Sequence, residues 1–554
     1  MLKSKRKSKK SQQKPSITKP PKPTKKELAL QKRKATRQKQ EAIKSIATFG
    51  SIGAVIGLVI LLSGKVKIAI AAGGGIAILM LAYKYPRQAL WAFFIYLPFS
   101  GTVTYWIGGG NALFHIAKDA FYIPALIALI QSCKKKKLPI LMPKNLIPTF
   151  SIVLCLALLT LIFANGALQL NPRGDKPILQ GIMGLKVLLG YIALIPCMYY
   201  LIRNRKDLLF FTRMQLVLAI ACCILGLMQY FMLTTGRCIG TRGMVGDELF
   251  KATLKAKCLV GGSLVFSPEV NMIRLPGTFV APWQWAWFLI SNAFFTFSSA
   301  FSETSFFWRM IGLAGMVLVF INAVISGQRA ALIVVPVAIG ILLILTGQII
   351  NFKRFIPIGV GLAIVFFIGA ATKPDIVQER FDSFISRWNA SPPQQFLFNQ
   401  FQQSHNFING YLLGRGLGKA TNSTRFLGST QLIETYQPKL IYELGYPGAI
   451  AFQIMLLHLT LLAFLTYRSV RDKNLRTYGA SFWVFIAFIS INPQYYPLDV
   501  DPVSVYYWML AGVIFKLPKI DQQIADENPQ KIELKNLPKR SKLKEKQSIE
   551  NSPI

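Results

Sequence analysis

Three short segments of this chain carry residues whose types and spacing could do chemistry. The first is Arg274-Leu275-Pro276-Gly277-Thr278-Phe279, just ahead of Trp283, Trp285 and Trp287. The second is Ser326-Gly327-Gln328-Arg329-Ala330-Ala331-Leu332. The third runs from Leu413-Gly414-Arg415-Gly416-Leu417-Gly418, through Glu434, to Glu443-Leu444-Gly445. A guanidinium stays charged and grips phosphate oxygens in a fork, so Arg274 and Arg329 are candidate anion holders. A carboxylate such as Glu434, or an imidazole such as His405, can accept a proton from a reacting hydroxyl. Each has a plainer reading. Arg329 lies between two apolar runs and could be a snorkelling interface anchor, since charge at membrane depth costs a few kcal/mol or more. Arg274 could be loop decoration, and the tryptophans ordinary interface anchors. An isolated loop histidine is more often a surface residue, and glycine runs suit any tight turn.

The elements that must position these residues are membrane helices. The chain has 554 residues, 52% of them hydrophobic, with mean hydropathy +0.40. Apolar runs long enough to span a bilayer recur from about residue 45 to about residue 516. The expected fold is all-α, a polytopic transmembrane helix bundle with one large domain over 45–516. About fourteen spans are expected (12–14 with the uncertain ones): 45–64, 67–84, 88–106, 114–132, 146–165, 183–202, 208–234, 283–301, 307–326, 330–350, 355–372, 440–466, 477–492 and 503–516. Residues 1–44 are basic and polar, expected to be a disordered cytoplasmic tail with a basic helix around 25–44, and 517–554 a second disordered tail. No apolar segment precedes the first long run, which argues against a cleaved signal peptide.

The formal charge of +41 does not read as a nucleic-acid interface. The basic residues crowd the tails and the short loops Lys84–Arg87, Lys134–Lys137, Arg203–Lys206, Lys353–Arg354 and Arg468–Arg476, as topology-setting charge does. With those loops inside, both termini are cytoplasmic. The long loops 235–282 and 373–439 and the turn bearing Arg329 then all fall on the outer face. The exception is 302–306, an inside loop with no basic residue until Arg309. The N-terminal tail is expected to touch anionic inner-leaflet lipids. No glycine cluster is followed by the Lys-Ser/Thr of a phosphate loop, which argues against an ATP-driven pump. No metal-type spacing of cysteines and histidines is present. Cys238 and Cys258 share loop 235–282 and could form a disulfide if it faces an oxidising compartment.

The ordered set of motifs resembles the O-antigen ligase and polymerase superfamily over roughly residues 180–515. It comprises Arg274-x-x-Gly-Thr-Phe, Ser-Gly-Gln-Arg-Ala-Ala-Leu at a span start, Gly414-x-Gly-x-Gly in a long loop, and Glu443-Leu-Gly-x-x-Gly opening the next span. Members are polytopic glycosyltransferases that use undecaprenyl-pyrophosphate-linked glycans at the outer side of the bacterial inner membrane. The basic N-terminus and layout are also similar to its cyanobacterial hormogonium polysaccharide biosynthesis members. The resemblance implies an inverting transferase that needs no metal or cofactor, acting as polymerase or ligase in surface polysaccharide or exopolysaccharide assembly. Its partners would be the polyprenyl-pyrophosphate-linked glycan, an acceptor glycan and other polysaccharide assembly proteins. Arg274 and Arg329 match the arginines that grip the donor pyrophosphate. Glu434, nine residues before Glu443, stands where the family's ligases have a histidine. The Asn-x-Tyr-Leu that follows there is replaced by Thr435-Tyr436-Gln437-Pro438. His405 ranks behind Glu434 as the base, and Gln328, Arg415 and Glu443 are supporting candidates. Glu443 and Gly445 are expected chiefly to shape the start of their helix. Arg380, Arg387, Arg415 and Lys419 could help bind an anionic glycan or diphosphate, although for each a solvated loop charge is the better reading.

Two readings of other classes remain. A lipid-linked saccharide transporter or flippase would need polar residues deep in several spans, and the candidates are few: Lys118-Asp119, Lys186 and Asp499–Asp501. A non-catalytic scaffold of a polysaccharide assembly complex is supported by the long basic tail.

Overall fold

The structure is a computed structural model. It describes residues 25–110, 114, 117–140, 143–170, 174–245, 249, 256–268, 272–348, 392–492 and 497–527, with scattered positions between 378 and 389. The expected span 355–372, Arg380, Arg387 and both expected disordered tails (1–24 and 528–554) lie outside the described residues. The chain divides into two compact units, Met1–Leu81 and Ala82–Ile554.

The first unit is built on α1 (Lys25–Leu61) and most of α2 (Val66–Lys84). The first half of α1 is rich in Lys, Arg, Gln, Ala and Glu, all good helix formers. It passes without a break into the apolar second half, so the tail and the span form one 37-residue helix. The two helices meet on glycines. A Cβ on Gly53 would come within 2.4 Å of the Gly73 carbonyl, and one on Gly73 within 2.5 Å of the Gly53 carbonyl. Small residues let helix backbones approach in this way within a membrane.

The second unit contains α3 (Pro86–Ile107), α4 (Asp119–Lys135), α5 (Lys144–Leu170), the bent pair α6 (Pro177–Leu189) and α7 (Leu194–Leu201), and α8 (Arg205–Thr234). Next come α9 (Pro282–Ser302), α10 (Phe306–Ile325), α11 (Arg329–Leu345) and α12 (Pro393–Ile408). The last are α13 (Tyr436–Arg468), α14 (Lys473–Ile491) and α15 (Val503–Glu527). The protein is an all-α, multi-pass membrane bundle. Among the described helices, eight are long and apolar enough to cross a membrane, or nine if the pair bent by 41° is a single span. Every stretch expected as a span falls on helix, apart from 355–372. The shortfall from fourteen has physical causes. Besides 355–372, which lies outside the described residues, α4 and α11 have only 17 residues each, and α9 and α14 are less apolar than the eight.

All residues of α9 from Trp285 to Ser302 are buried, as are all residues of α15 from Val503 to Leu517. These two form the centre of the bundle, where Phe295 meets Tyr506 at 5.6 Å between ring centroids. Several polar side chains of α9 bond back along their own helix. Ser291, Thr296 and Ser298 hydroxyls donate to the carbonyls of Trp287, Asn292 and Phe294 at 2.7, 2.8 and 2.7 Å. Such back-bonding satisfies hydroxyls that have no water to turn to.

The basic residue that the turn after α9 lacks is supplied by α8. Arg213 donates to both Glu303 oxygens, Nε to Oε2 at 3.1 Å and Nη2 to Oε1 at 2.9 Å. Burial alone would raise the Glu303 carboxyl. The guanidinium, together with the backbone N–H groups of Ser305 and Thr304, holds it below its ordinary value instead.

The loop after α8 has its own small core around Leu233, Cys258, Phe266 and Ile273. It carries a hairpin of β1 (Val265–Ser267) and β2 (Met272–Arg274) that pairs Val265 with Arg274. Cys238 and Cys258 are joined by a disulfide. Buried Gln229 of α8 donates to the carbonyls of Cys258 at 3.0 Å and Val260 at 2.6 Å, which docks the loop on the bundle.

Candidate functional site

The segment Ser326-Gly327-Gln328-Arg329 is the turn between α10 and α11, and each residue has a task. Ser326 accepts from the Gln328 N–H at 3.2 Å and donates its own hydroxyl to Ala323 O at 2.9 Å, which closes the turn. Gly327 has φ +69°, and a Cβ there would lie 1.8 Å from Ile273 O. That contact admits only glycine. Beside it, the Leu275 N–H donates to Ser326 O at 3.0 Å. The turn and strand β2 therefore lie backbone to backbone, and the segments bearing Arg274 and Arg329, far apart in sequence, are brought together. Gln328 is the residue ahead of the first turn of α11, and its side chain does not cap that helix. Arg329 opens the helix.

Arg329 is half-buried and lines a cavity of about 270 Å³. Glu434 lines the same cavity, together with Trp287, Trp388, Phe488 and Asn492. Among the described residues neither Arg329 nor Glu434 has an ion-pair partner. Glu434 is exposed between the buried residues Ile433 and Thr435, in the extended segment that leads into α13. Its N–H donates to Gln400 Oε1 of α12 at 3.0 Å, so its backbone is held while its carboxylate stays available. One turn into α11, Ile333 and Val334 continue the wall from Arg329. The cavity thus grades from a cation at the start of a helix to an apolar surface along it. The first-turn N–H groups of a helix and its dipole add to the pull on an anion at that point.

The other expected residues sit elsewhere. His405 of α12 is not among the residues lining this cavity, and its Nδ1 is 2.8 Å from the Tyr446 hydroxyl. Arg415 is locked in place: Nε donates to Phe407 O at 2.6 Å, and the guanidinium lies 3.9 Å over the Tyr411 ring. Glu443 is 3% exposed and accepts from the Ala420 N–H at 2.7 Å and the Thr421 hydroxyl at 3.0 Å. It pins the glycine-rich loop to α13. Gly445 breaks α13 with φ +71°, and a Cβ there would lie 2.0 Å from Leu412 O. The Glu443-Leu444-Gly445 motif is therefore a joint between loop and helix. Lys419 pairs with Asp175 at 3.3 Å. The Ser429 hydroxyl at 2.9 Å and N–H at 3.2 Å, with Lys419, hold the Asp175 carboxyl below its ordinary value.

Trp388 and Asn492 were not foreseen, because neither belongs to a recognisable motif. The charges scattered through Lys118-Asp119, Lys186 and Asp499–Asp501 prove to be one cluster. Lys186 pairs with Asp119 at 2.8 Å, Lys118 with Asp501, and Lys439 of α13 with Asp499. Glu443 Oε2 lies 4.0 Å from the Lys439 ammonium. The cluster borders a second cavity of about 490 Å³, whose wall includes Trp283 and Gln284 of α9, the segment Ala420–Ser423, and Phe426.

Among the described residues, no group of three or more His, Cys, Asp or Glu side chains is placed to hold a metal ion. No family model and no curated protein matches the chain.

Proposed function

We propose that this protein is a membrane glycosyltransferase of the O-antigen ligase and polymerase type. It moves a glycan from a polyprenyl-pyrophosphate carrier to an acceptor sugar hydroxyl. The observation that carries this reading is the meeting of Arg329 and Glu434, both without ion-pair partners among the described residues, in a single cavity with an apolar wall. A carrier with a diphosphate head and an isoprenoid tail matches that gradient from charge to hydrocarbon. Arg329 and the first N–H groups of α11 bind the diphosphate; Arg274, on the hairpin docked on the same turn, is not among the residues lining the cavity. In the reaction the acceptor oxygen attacks the anomeric carbon, and its proton passes to the Glu434 carboxylate. The bond from the anomeric carbon to the diphosphate oxygen breaks, and that oxygen takes the electron pair. Negative charge grows on the diphosphate as it leaves, so fixed cations stabilise the transition state more than the ground state. One displacement inverts the anomeric centre.

The lysine and arginine bias of the short loops, together with the Cys238–Cys258 disulfide, supports a bacterial inner membrane with the cavity on the outer face and both termini in the cytoplasm. The basic half of α1 then lies against anionic inner-leaflet lipid.

The test uses purified full-length protein in lipid nanodiscs, with polyprenyl-pyrophosphate-linked oligosaccharide extracted from the source cells. Glycan transfer and pyrophosphate-lipid release are measured for wild type, Arg329→Ala and Glu434→Gln. Wild-type rates in both variants at equal protein would overturn the proposal. Movement of the carrier across the bilayer without transfer would favour a transporter. That second reading is supported by the buried ion pairs Lys118–Asp501 and Lys439–Asp499.

A further inference from the structure

The second cavity differs chemically from the one that holds Arg329. Of the three cations in its wall, Lys118 and Lys186 are paired with carboxylates, and the exposed Arg425 has no ion-pair partner among the described residues. Lys118 faces Asp501, Lys186 faces Asp119, and Lys439 faces Asp499. A diphosphate placed there would meet Asp499 and Asp501, both of which line the cavity. An isoprenoid tail would strand the buried charges without water. What the wall offers is fixed donors and acceptors in about equal number. Lys118 and Lys186 keep N–H groups beyond those their carboxylates use, and each carboxylate has lone pairs to spare. Thr421, Asn422 and Ser423 present a run of polar side chains along the 3₁₀ turn Asn422–Leu427. Three aromatic side chains complete the wall: buried Tyr191, Trp283 at 42% exposure and Phe426 at 64%. Aromatic faces beside paired donors and acceptors suit a polyol ring, whose C–H edges lie on the aromatic and whose hydroxyls both give and take hydrogen bonds. The volume of about 490 Å³ falls within the range of small-ligand pockets.

We propose that this second cavity is a saccharide-binding site that takes one or two sugar rings. The ion pairs around it fix the polar groups in place before binding. The Lys118 side chain is 12% exposed, that of Asp119 9%, and that of Asp499 7%, so ordering them is complete in the free protein. The two cavities flank the start of α9. Trp283 and Gln284 belong to the second, and Trp287 to the first. Residues four apart on a helix are neighbours on one face, so Trp283 and Trp287 stand about 6 Å apart at Cβ. The identification of the bound sugar as the acceptor rests on the transferase reading. On that reading the second cavity holds the acceptor chain and delivers its terminal hydroxyl past α9 to Glu434.

The test is saturation-transfer-difference NMR on the full chain in nanodiscs. The probe is oligosaccharide fragments released by mild acid from the source cells' own surface polysaccharide. Wild type and Arg329→Ala should give equal saturation transfer, and excess inorganic pyrophosphate should leave it unchanged. Trp283→Ala should weaken binding about tenfold, the worth of one ring contact. Ser423→Trp, which fills the cavity from an exposed position, should abolish it. Saturation transfer lost in Arg329→Ala or to pyrophosphate, and kept in Ser423→Trp, would place the sugar in the first cavity and overturn the inference. No saturation transfer in wild type would overturn it too, and the transferase reading would stand if the same protein still releases pyrophosphate-lipid from the donor. Binding with the expected variant pattern, but no donor turnover, would keep the saccharide site and defeat the transferase reading.

Discussion

The two cavities beside the start of α9 both hold arginine or lysine together with acidic side chains, and they use them in opposite ways. In the first, Arg329 and Glu434 share a wall and have no ion-pair partner among the described residues. In the second, Lys118 and Lys186 in the wall and Lys439 behind it each have a carboxylate partner, and of the wall's cations Arg425 alone has none among the described residues. An unpaired charge at a cavity wall is a standing cost that a ligand can relieve. A paired one is part of the frame, because its removal leaves a buried ion without compensation. Substitution should therefore separate the two sites, with losses of rate at the first and losses of stability at the second.

The largest effect is expected for Glu434→Gln. It should lower the transfer rate about 1,000-fold, the usual worth of a positioned base, with an unchanged unfolding temperature in detergent. Arg329→Ala should lower the rate about 100-fold and likewise leave stability alone. A large stability loss in either would make these residues frame and would break the distinction. For Lys439→Met the opposite is expected. It leaves Asp499 and Glu443 buried without their cation and should destabilise the fold by about 3 kcal/mol or more, read by thermal unfolding followed with tryptophan fluorescence. Gly445→Ala forces a Cβ against Leu412 O at a left-handed backbone position. It should cost about 1–3 kcal/mol and loosen the 412–420 loop to proteolysis. The smallest effect concerns Asp175. Its folded carboxyl titrates below its ordinary value, so the stability it contributes is present above about pH 4 and is lost as pH falls through the lower folded value. In hydrogen exchange the loop around Ser429 should open as the pH falls below about 4. Asp175→Asn should remove that acid response and change neutral-pH stability by less than about 0.5 kcal/mol.

Much of the helical layout was legible because apolar run length and loop charge are local properties of a membrane chain. The same count placed the Arg329 turn and Glu434 at one face, and the structure puts both in one cavity. The shaping role expected of Glu443 and Gly445 matches their contacts with the 412–421 loop. Pairing was not legible. Lys118 and Asp501 are 383 residues apart, and nothing local marks either as the other's partner. The hairpin β1–β2 was also hidden, since its three-residue strands carry too little pattern to stand out. By sequence, Arg415 is a supporting candidate for binding an anionic ligand and suits a solvated loop as well. What uses up its guanidinium is a carbonyl and a tyrosine ring, both set by the turn it sits in. The unbroken passage from the basic tail into the first span was half legible. The helix formers were plain, but the two parts differ so much in polarity that they read as separate elements.

That continuity turns a tail into a mast. At about 1.5 Å of rise per residue, the 37 residues of α1 measure about 55 Å from end to end. The hydrocarbon core of a bilayer takes up about 30 Å of such a length. About 25 Å of the helix is therefore more than the hydrocarbon core takes up, and nearly all of its basic residues fall in that excess. A proline inserted near Gln40 would break the rod where its basic part meets its apolar part.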